Sequence, residues 1–173
     1  MSSPRRLLVT GATGKQGGAL ISALLSKPSQ PFEIYAVTRN SNSRSAQLLE
    51  KQNVKLIQGN IDDTAAIFSQ VPKPVWGVFA VPLLEKGIKK EEAQGRALVQ
   101  DAVKANASHI VYTTTDRGGD VKSEDNPTAV PHFASKYRVE QDIKAKAAES
   151  NGHLTYTFLR PVVRTSQARN FPG

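Results

Sequence analysis

The chain has 173 residues, no cysteine and a formal net charge of +8. This length corresponds to about one domain, whose core is large enough to fold without a disulfide or a metal. The absence of cysteine excludes disulfide scaffolds, iron–sulfur clusters, thiolate zinc sites and cysteine nucleophiles. We therefore expect a single domain over residues 1–173 and no metal site.

The basic surplus is concentrated in the first third of the chain. Residues 1–60 carry eight basic and two acidic side chains, whereas residues 61–122 carry eight of each. A nucleic-acid-binding protein more often has a dense basic helix with interleaved aromatic residues, and no basic run here exceeds two residues. The distribution therefore favours a small ligand that bears phosphate, or plain surface solvation, and no nucleic acid is expected as a partner.

Short apolar segments alternate with helical patterns along the chain. Strands are predicted at 6–10, 32–39, 54–58, 75–81, 108–114 and 154–159, helices at 18–27, 43–51, 62–69, 89–106 and 133–150, and a loop at 116–131. Strict alternation requires right-handed β-α-β crossovers, which build a parallel sheet with helices on both faces. The predicted fold class is α/β, a doubly wound (Rossmann) parallel sheet of six strands in a single domain.

The same segments predict a location in the cell. None of the apolar runs reaches the ~18 residues that cross a membrane. The first residues enter a strand pattern at once, which leaves no room for a signal peptide. We expect a cytoplasmic protein, with the nucleus as a second compartment and no membrane partner.

Three glycines stand between the first predicted strand and the first helix. Gly11, Gly14 and Gly17 have the spacing G-x-x-G-x-x-G. One glycine permits a tight turn, one lets the backbone approach a pyrophosphate, and one lets the helix pack against the strand. A phosphate-binding loop of the Walker type is excluded, because Lys15 is followed by Gln16 rather than by Ser or Thr. The pattern predicts a dinucleotide site, the alternative being a glycine-rich turn that serves packing alone.

The end of the second predicted strand indicates which dinucleotide binds. An NAD site usually has an acidic residue here that binds the ribose hydroxyls, whereas this chain has Arg39, 22 residues after Gly17. A guanidinium with Asn40 and Ser41 as neighbouring donors would bind a 2′-phosphate, which a carboxylate would repel. NADP(H) is therefore the predicted cofactor, and the alternative is an ordinary solvated arginine.

Four segments together resemble the NmrA-like family of atypical short-chain dehydrogenase/reductase proteins. They are TGATGKQG (10–17), VTRN (37–40), QGNIDD (58–63) and PHFASK (131–136), and the resemblance covers essentially the whole chain. It implies contacts to NADP(H) from Gly11, Ala12, Thr13, Gly14, Lys15, Gln16, Arg39, Asp62, Asp63, Val81, Pro82 and Lys136. The acidic pair Asp62-Asp63 would lie near the adenine; on residue chemistry alone it is also a helix cap.

The usual proton donor of short-chain dehydrogenases is missing. Those enzymes use Tyr-x-x-x-Lys, in which the phenol donates a proton to a carbonyl. Here His132 stands four residues before Lys136, a replacement that the resemblance implies is normal in the family. These two residues are the candidate catalytic residues. Lys136 would hold the nicotinamide ribose or donate a proton, and His132 would be an acid or simply a helix-start residue.

The end of the sequence departs from the family pattern. After Leu159-Arg160-Pro161 the family continues with a turn to Asn-Phe and a substantial part that forms the substrate or partner cleft. In this chain the connection to Asn170-Phe171 is longer, and Gly173 is the last residue. We expect the C-terminal substrate part to be missing.

Two functions remain open. The first is an NADPH-dependent oxidoreductase that acts on a small quinone, enone or carbonyl substrate, as the family resemblance implies. The second is a non-catalytic NADP(H)-sensing regulator that binds a protein partner, which the missing tyrosine favours. The expected partner is accordingly a small-molecule substrate or a regulatory protein.

Overall fold

The computed structural model describes residues 4–29, 31–82 and 87–162. The strands are β1 (Arg5–Val9), β2 (Phe32–Thr38), β3 (Lys55–Gln58), β4 (Gly77–Ala80), β5 (His109–Thr113) and β6 (Thr155–Leu159). The helices are α1 (Lys15–Leu25), α2 (Arg44–Glu50), α3 (Thr64–Ser69), α4 (Ile88–Lys104), α5 (Asp120–Asp125) and α6 (Pro131–Glu149). No helix in these ranges is long and apolar enough to span a bilayer.

All six strands form one parallel sheet, in the order β3-β2-β1-β4-β5-β6. Successive side chains of a strand point to opposite faces, so Leu8 and Val9 of β1 enter two separate cores. Leu8 packs in the core that contains Val139 of α6, and Val9 packs in the core that contains Ile21 of α1. Both faces of the sheet are therefore covered by helices, and the predicted doubly wound fold is confirmed.

Two elements differ by more than two residues from the sequence prediction. Helix α1 begins at Lys15 rather than at residue 18, and the extended Gly14 is its N-cap. The sequence pattern missed the first turn because Gly17 and Gly18, which are weak helix formers, lie inside the helix. The predicted loop at 116–131 contains α5, a single short helix. The predicted connection to Asn170-Phe171 lies outside the described residues.

A network of ion pairs fastens α5 and the end of β6 to α6. The side chain of Glu140 on α6 is fully buried, and both its oxygens accept hydrogen bonds from Arg117 at 2.8 Å. Arg160, just after β6, lies 2.7 Å from Glu140 and 2.6 Å from Glu124 on α5. Lys144 adds a second contact to Glu124 at 2.6 Å. Four chain segments thus meet at two carboxylates.

The pKa of both carboxylates is lowered, which predicts a loss of stability in acid. Hydrogen bonds from Arg160 and then Lys144 lower the pKa of Glu124 from 4.5 to about 2. Burial raises the pKa of Glu140, but hydrogen bonds from Arg117 and Arg160 lower this pKa by more than burial raises it, so the net shift is downward. At a pH above the unfolded-state pKa near 4.5, a carboxylate with a lowered pKa stabilises the folded state. This contribution disappears as the pH falls towards 2.

We therefore expect the difference in unfolding free energy between the unmodified chain and Glu124→Gln to shrink steadily from pH 5 to pH 2. Urea denaturation followed by circular dichroism at several pH values measures this difference. A difference that stays constant over this range would show that the ion pairs of Glu124 do not contribute to stability.

Candidate functional site

A cavity of about 270 Å³ lies at the carboxyl ends of the central strands. It sits beside β1, where the strand order reverses between β1 and β4, the usual position of a ligand site in a doubly wound sheet. Its lining residues are Thr10, Gly11, Thr13, Gly14, Val37, Thr38, Arg39, Gly59, Asn60, Ile61, Val81 and Gln94.

The glycine loop forms one wall of this cavity and is held in a tight turn. Gly11 has a φ of 61°, which favours glycine, and its carbonyl accepts a hydrogen bond from the Gly14 N–H at 2.9 Å. The hydroxyl of Thr10 accepts a hydrogen bond from the Val81 N–H at 2.9 Å, which ties the end of β1 to the end of β4. A Cβ atom on Gly17 would overlap the carbonyl oxygen of Gly11. The loop therefore lies directly against the first turn of α1.

The N-terminus of α1 presents backbone N–H groups, which carry partial positive charge, to the cavity. The first turn of a helix leaves N–H groups without partners inside the helix. Here Gly14 provides no capping side chain, and the turn contains no acidic residue. Lys15 and Gln16 are exposed in this turn, while Ala12 is buried beneath the loop. Backbone donors, the helix dipole and a nearby lysine are the chemistry that binds a pyrophosphate.

One of the three predicted 2′-phosphate donors lines the cavity. Arg39 is exposed just after β2 and forms part of the cavity wall. The hydroxyl of Ser41 donates to Gln58 at 2.5 Å, and the side-chain oxygen of Asn40 accepts from the Asn42 N–H at 2.9 Å. The side chain of Asn40 therefore belongs to the local turn and that of Ser41 contacts the end of β3, so the guanidinium supplies the cationic group at this end.

The acidic pair after β3 separates into two roles. Asp63 caps α3, where its carboxylate accepts a hydrogen bond from the Ala66 N–H at 3.0 Å. Asp62 reaches across to α4, where it lies 3.1 Å from Lys90 and accepts a hydrogen bond from Gln94. Neither carboxylate lines the cavity. The helix-cap alternative describes Asp63, and the contact with adenine stays a prediction for both.

The cavity also contains residues that the sequence did not indicate. Asn60 and Ile61 come two and three residues after the end of β3, so the parallel arrangement of the strands was a usable signal for them. Gln94 comes from α4, and no local pattern marks it. Val81 lines the 270 Å³ cavity, whereas Pro82 lines a neighbouring cavity of about 10 Å³, together with Gln94. The contacts of Val81 and Pro82 with NADP(H) stay predictions.

Lys136 and His132 lie together on α6, and a third residue joins them. Lys136 is 8% exposed, and its ammonium donates to Oε1 of Glu91 on α4. His132 Nδ1 lies 3.2 Å from Oε2 of the same carboxylate. Neither Lys136 nor His132 lines the 270 Å³ cavity. No sequence pattern indicates Glu91, which is 45 residues from Lys136.

Comparison with known proteins gives the family. The sequence profile of the NmrA-like family matches residues 3–171. The chain belongs to the NmrA-like family. The NmrA-like family domain-containing oxidoreductase himF of Aspergillus japonicus is 31% identical over 165 residues, which cover 90% of this chain and 48% of the relative. The chain spans about half the length of the curated relatives it matches.

Solved structures share the fold. The triphenylmethane reductase of Citrobacter sp., crystallised with NADP(H), matches with a TM-score of 0.70 and 24% identity over 92% of this chain and 50% of the reductase. Nmra, a negative transcriptional regulator, matches with a TM-score of 0.69 and 23% identity over 90% of this chain and 45% of its own. Further crystals of Nmra contain NADP or NAD.

Proposed function

We propose that this protein binds NADP(H) in the 270 Å³ cavity. The observation that carries the proposal is the arrangement of one cavity wall, where the uncapped N-terminus of α1 and Arg39 at the end of β2 lie around the same space. The first fits a pyrophosphate and the second fits a 2′-phosphate. Crystals of the family member Nmra and of the Citrobacter reductase with NADP(H) support the assignment.

The reaction we propose is NADPH-dependent reduction of a small quinone, enone or carbonyl compound. The nicotinamide supplies the hydride when the cofactor is bound. Thr10 and Val81 fix the ends of β1 and β4 beneath the cavity, and Lys136 and His132 are the candidates for anchoring the ribose and moving the proton. Support comes from himF, a family oxidoreductase with 31% identity to this chain.

Arg39→Asp is the direct test of cofactor choice. The change replaces a charge-assisted hydrogen bond to the 2′-phosphate, which contributes ~1.5–3 kcal/mol, by a repulsion. We expect the NADPH dissociation constant to rise about 10- to 150-fold, while NADH affinity stays the same or improves. Titrations that follow nicotinamide fluorescence measure both constants.

Lys27→Asp is the matched control, because it makes the same change of charge just beyond the C-terminal end of α1. The helix has 11 residues, which places this control about 16 Å from the glycine loop. NADPH affinity should change little in it. Equal effects of the two substitutions, or an unchanged preference for NADPH in Arg39→Asp, would contradict a 2′-phosphate site at Arg39.

The second candidate is an NADP(H)-sensing regulator that binds a protein partner. It is favoured by His132, which stands where other short-chain dehydrogenases have a tyrosine, and by the fold shared with the regulator Nmra. Purified protein with saturating NADPH and a panel of quinones and enones separates the candidates. Oxidation of NADPH supports the enzyme, whereas tight binding of NADPH without oxidation supports the regulator.

A further inference from the structure

Glu91 is a buried carboxylate with an incomplete set of partners. Glu91 lies in the first turn of α4, and it is only 1% exposed. Oε1 accepts a hydrogen bond from Lys136. Oε2 is buried and has no hydrogen-bond partner among the described residues. Burying a charged oxygen without a donor is costly, so an additional donor for Oε2 is expected close by.

His132 carries a nitrogen that could donate the hydrogen bond that Oε2 of Glu91 lacks. Its Nδ1 is also buried, without a hydrogen-bond partner in the part of the chain that the structure describes, and it lies 3.2 Å from Oε2 of Glu91. This separation is at the upper end of the range for an N–H···O hydrogen bond. A proton on Nδ1 together with a small rotation of the ring would satisfy both buried atoms at once.

We propose that Glu91 is a positioning residue that fixes His132 with a proton on Nδ1, while Lys136 supplies the counter-charge. The hydrogen bond made by one ring nitrogen decides the state of the other. Nε2 is then the nitrogen that exchanges a proton. The proposal deepens the proposed reduction and rests on it, because it names His132 Nε2 as the proton donor in place of the missing tyrosine.

The proton step is balanced within this arrangement. Before the reaction His132 carries a proton on each nitrogen. As the substrate oxygen gains its proton, the Nε2–H bond breaks and its electron pair stays on the ring. His132 is left neutral, with its remaining proton on Nδ1 and hydrogen-bonded to Oε2 of Glu91, and solvent restores the proton on Nε2.

Tyr112 of β5 is the other titratable group beside this carboxylate. Burial first, and then the charge of Glu91, raises the pKa of its phenol. Its hydroxyl is buried and has no hydrogen-bond partner within residues 4–29, 31–82 and 87–162. The hydroxyl is therefore a second candidate donor for Oε2. Tyr112→Phe removes the hydroxyl alone and distinguishes the two donors.

The tautomer of His132 tests the proposal without any substrate. Long-range ¹H–¹⁵N correlation spectra of the labelled full chain, recorded where the ring is neutral and assigned with His132→Asn, show which nitrogen carries the proton. We expect the proton on Nδ1 in the unmodified chain and in Tyr112→Phe. A proton on Nε2 in the unmodified chain, or a change of tautomer in Tyr112→Phe, would overturn the proposal.

A paired substitution shows whether Glu91 sets the tautomer. Glu91→Leu with Lys136→Met removes both charges together, which is often tolerated in a protein interior. The Nδ1 proton should no longer be favoured in this double variant. Glu92→Gln, on the adjacent residue that contacts Arg96 and Arg138 instead, should keep it. An unchanged tautomer in the double variant would assign Glu91 a purely structural role.

Turnover provides the second readout. Glu91→Gln should lower turnover at saturating NADPH by about 10- to 100-fold, which is part of the roughly 100- to 10,000-fold that general acid catalysis contributes, because Glu91 acts only through His132. NADPH affinity should change much less, and Glu92→Gln should change neither quantity. Unchanged turnover in folded Glu91→Gln would overturn the proposal. If the unmodified chain does not bind NADPH, the proposed function fails, while the tautomer still decides the role of Glu91.

Discussion

Glu140→Ala is expected to lower the free energy of unfolding by about 3–5 kcal/mol, the usual effect of removing one partner of a buried ion pair. The side chains of Glu140 and Arg117 are both fully buried. Without the carboxylate, the Arg117 guanidinium keeps its charge in the protein interior with no counter-charge in contact. Urea denaturation at neutral pH measures the loss.

Arg138→Ala is the control on the same helix. Arg138 forms an ion pair with Glu92 at 2.6 Å, but its side chain is 47% exposed. Exposed pairs of this kind contribute roughly 0–1 kcal/mol, so this substitution should have a small effect. Similar losses in the two variants would mean that burial of the Glu140 pair does not determine its contribution.

The Glu140 network also explains why one helix escaped prediction. α5 has six residues, too few for a stable helix on local preferences alone. The chain beside it is held by Arg117, whose backbone N–H donates to the hydroxyl of Ser123 at 2.8 Å and whose Nε donates to the Asn126 carbonyl at 2.9 Å. These contacts depend on a carboxylate 23 residues further along the chain, which no sequence window includes.

The candidate site likewise contains residues that a local sequence pattern indicates and residues that only tertiary packing brings in. The glycine loop was predictable, because a tight turn between a strand and a helix needs glycines at fixed local positions. Arg39 was predictable, because the end of a parallel strand has a known place at the edge of the sheet. Glu91 and Gln94 were not predictable, because α4 carries them to the site from another part of the chain. Their contacts arise from the packing of α4 against its neighbours, a tertiary effect.

Gly17→Ala is expected to destabilise the fold by about 1–3 kcal/mol, the usual cost of overpacking a close contact, and to abolish NADPH binding. A Cβ at this position would overlap the carbonyl oxygen of Gly11 and lie 2.9 Å from the Cα atom of Ala12. Both belong to the backbone, so no side chain can rotate away. The glycine loop or the start of α1 must move instead.

Gly18→Ala is the matched control, one residue further along the same helix. Its Cβ would lie 3.5 Å from the carbonyl oxygen of Ala12, an ordinary contact. Alanine is the better helix former, so this change should stabilise the fold by about 0.5–1 kcal/mol. Equal stability of the two variants would contradict the close approach of loop and helix.

NADPH titration of folded Gly17→Ala then decides what the glycine loop is for. If the loop holds the pyrophosphate, moving its backbone away from the N-terminus of α1 separates the N–H donors that must bind one anion together. Binding should then be lost at a temperature where the variant is still folded. If folded Gly17→Ala binds NADPH as tightly as the unmodified chain, the loop serves packing alone, and the anion site has to be placed elsewhere along the sheet edge.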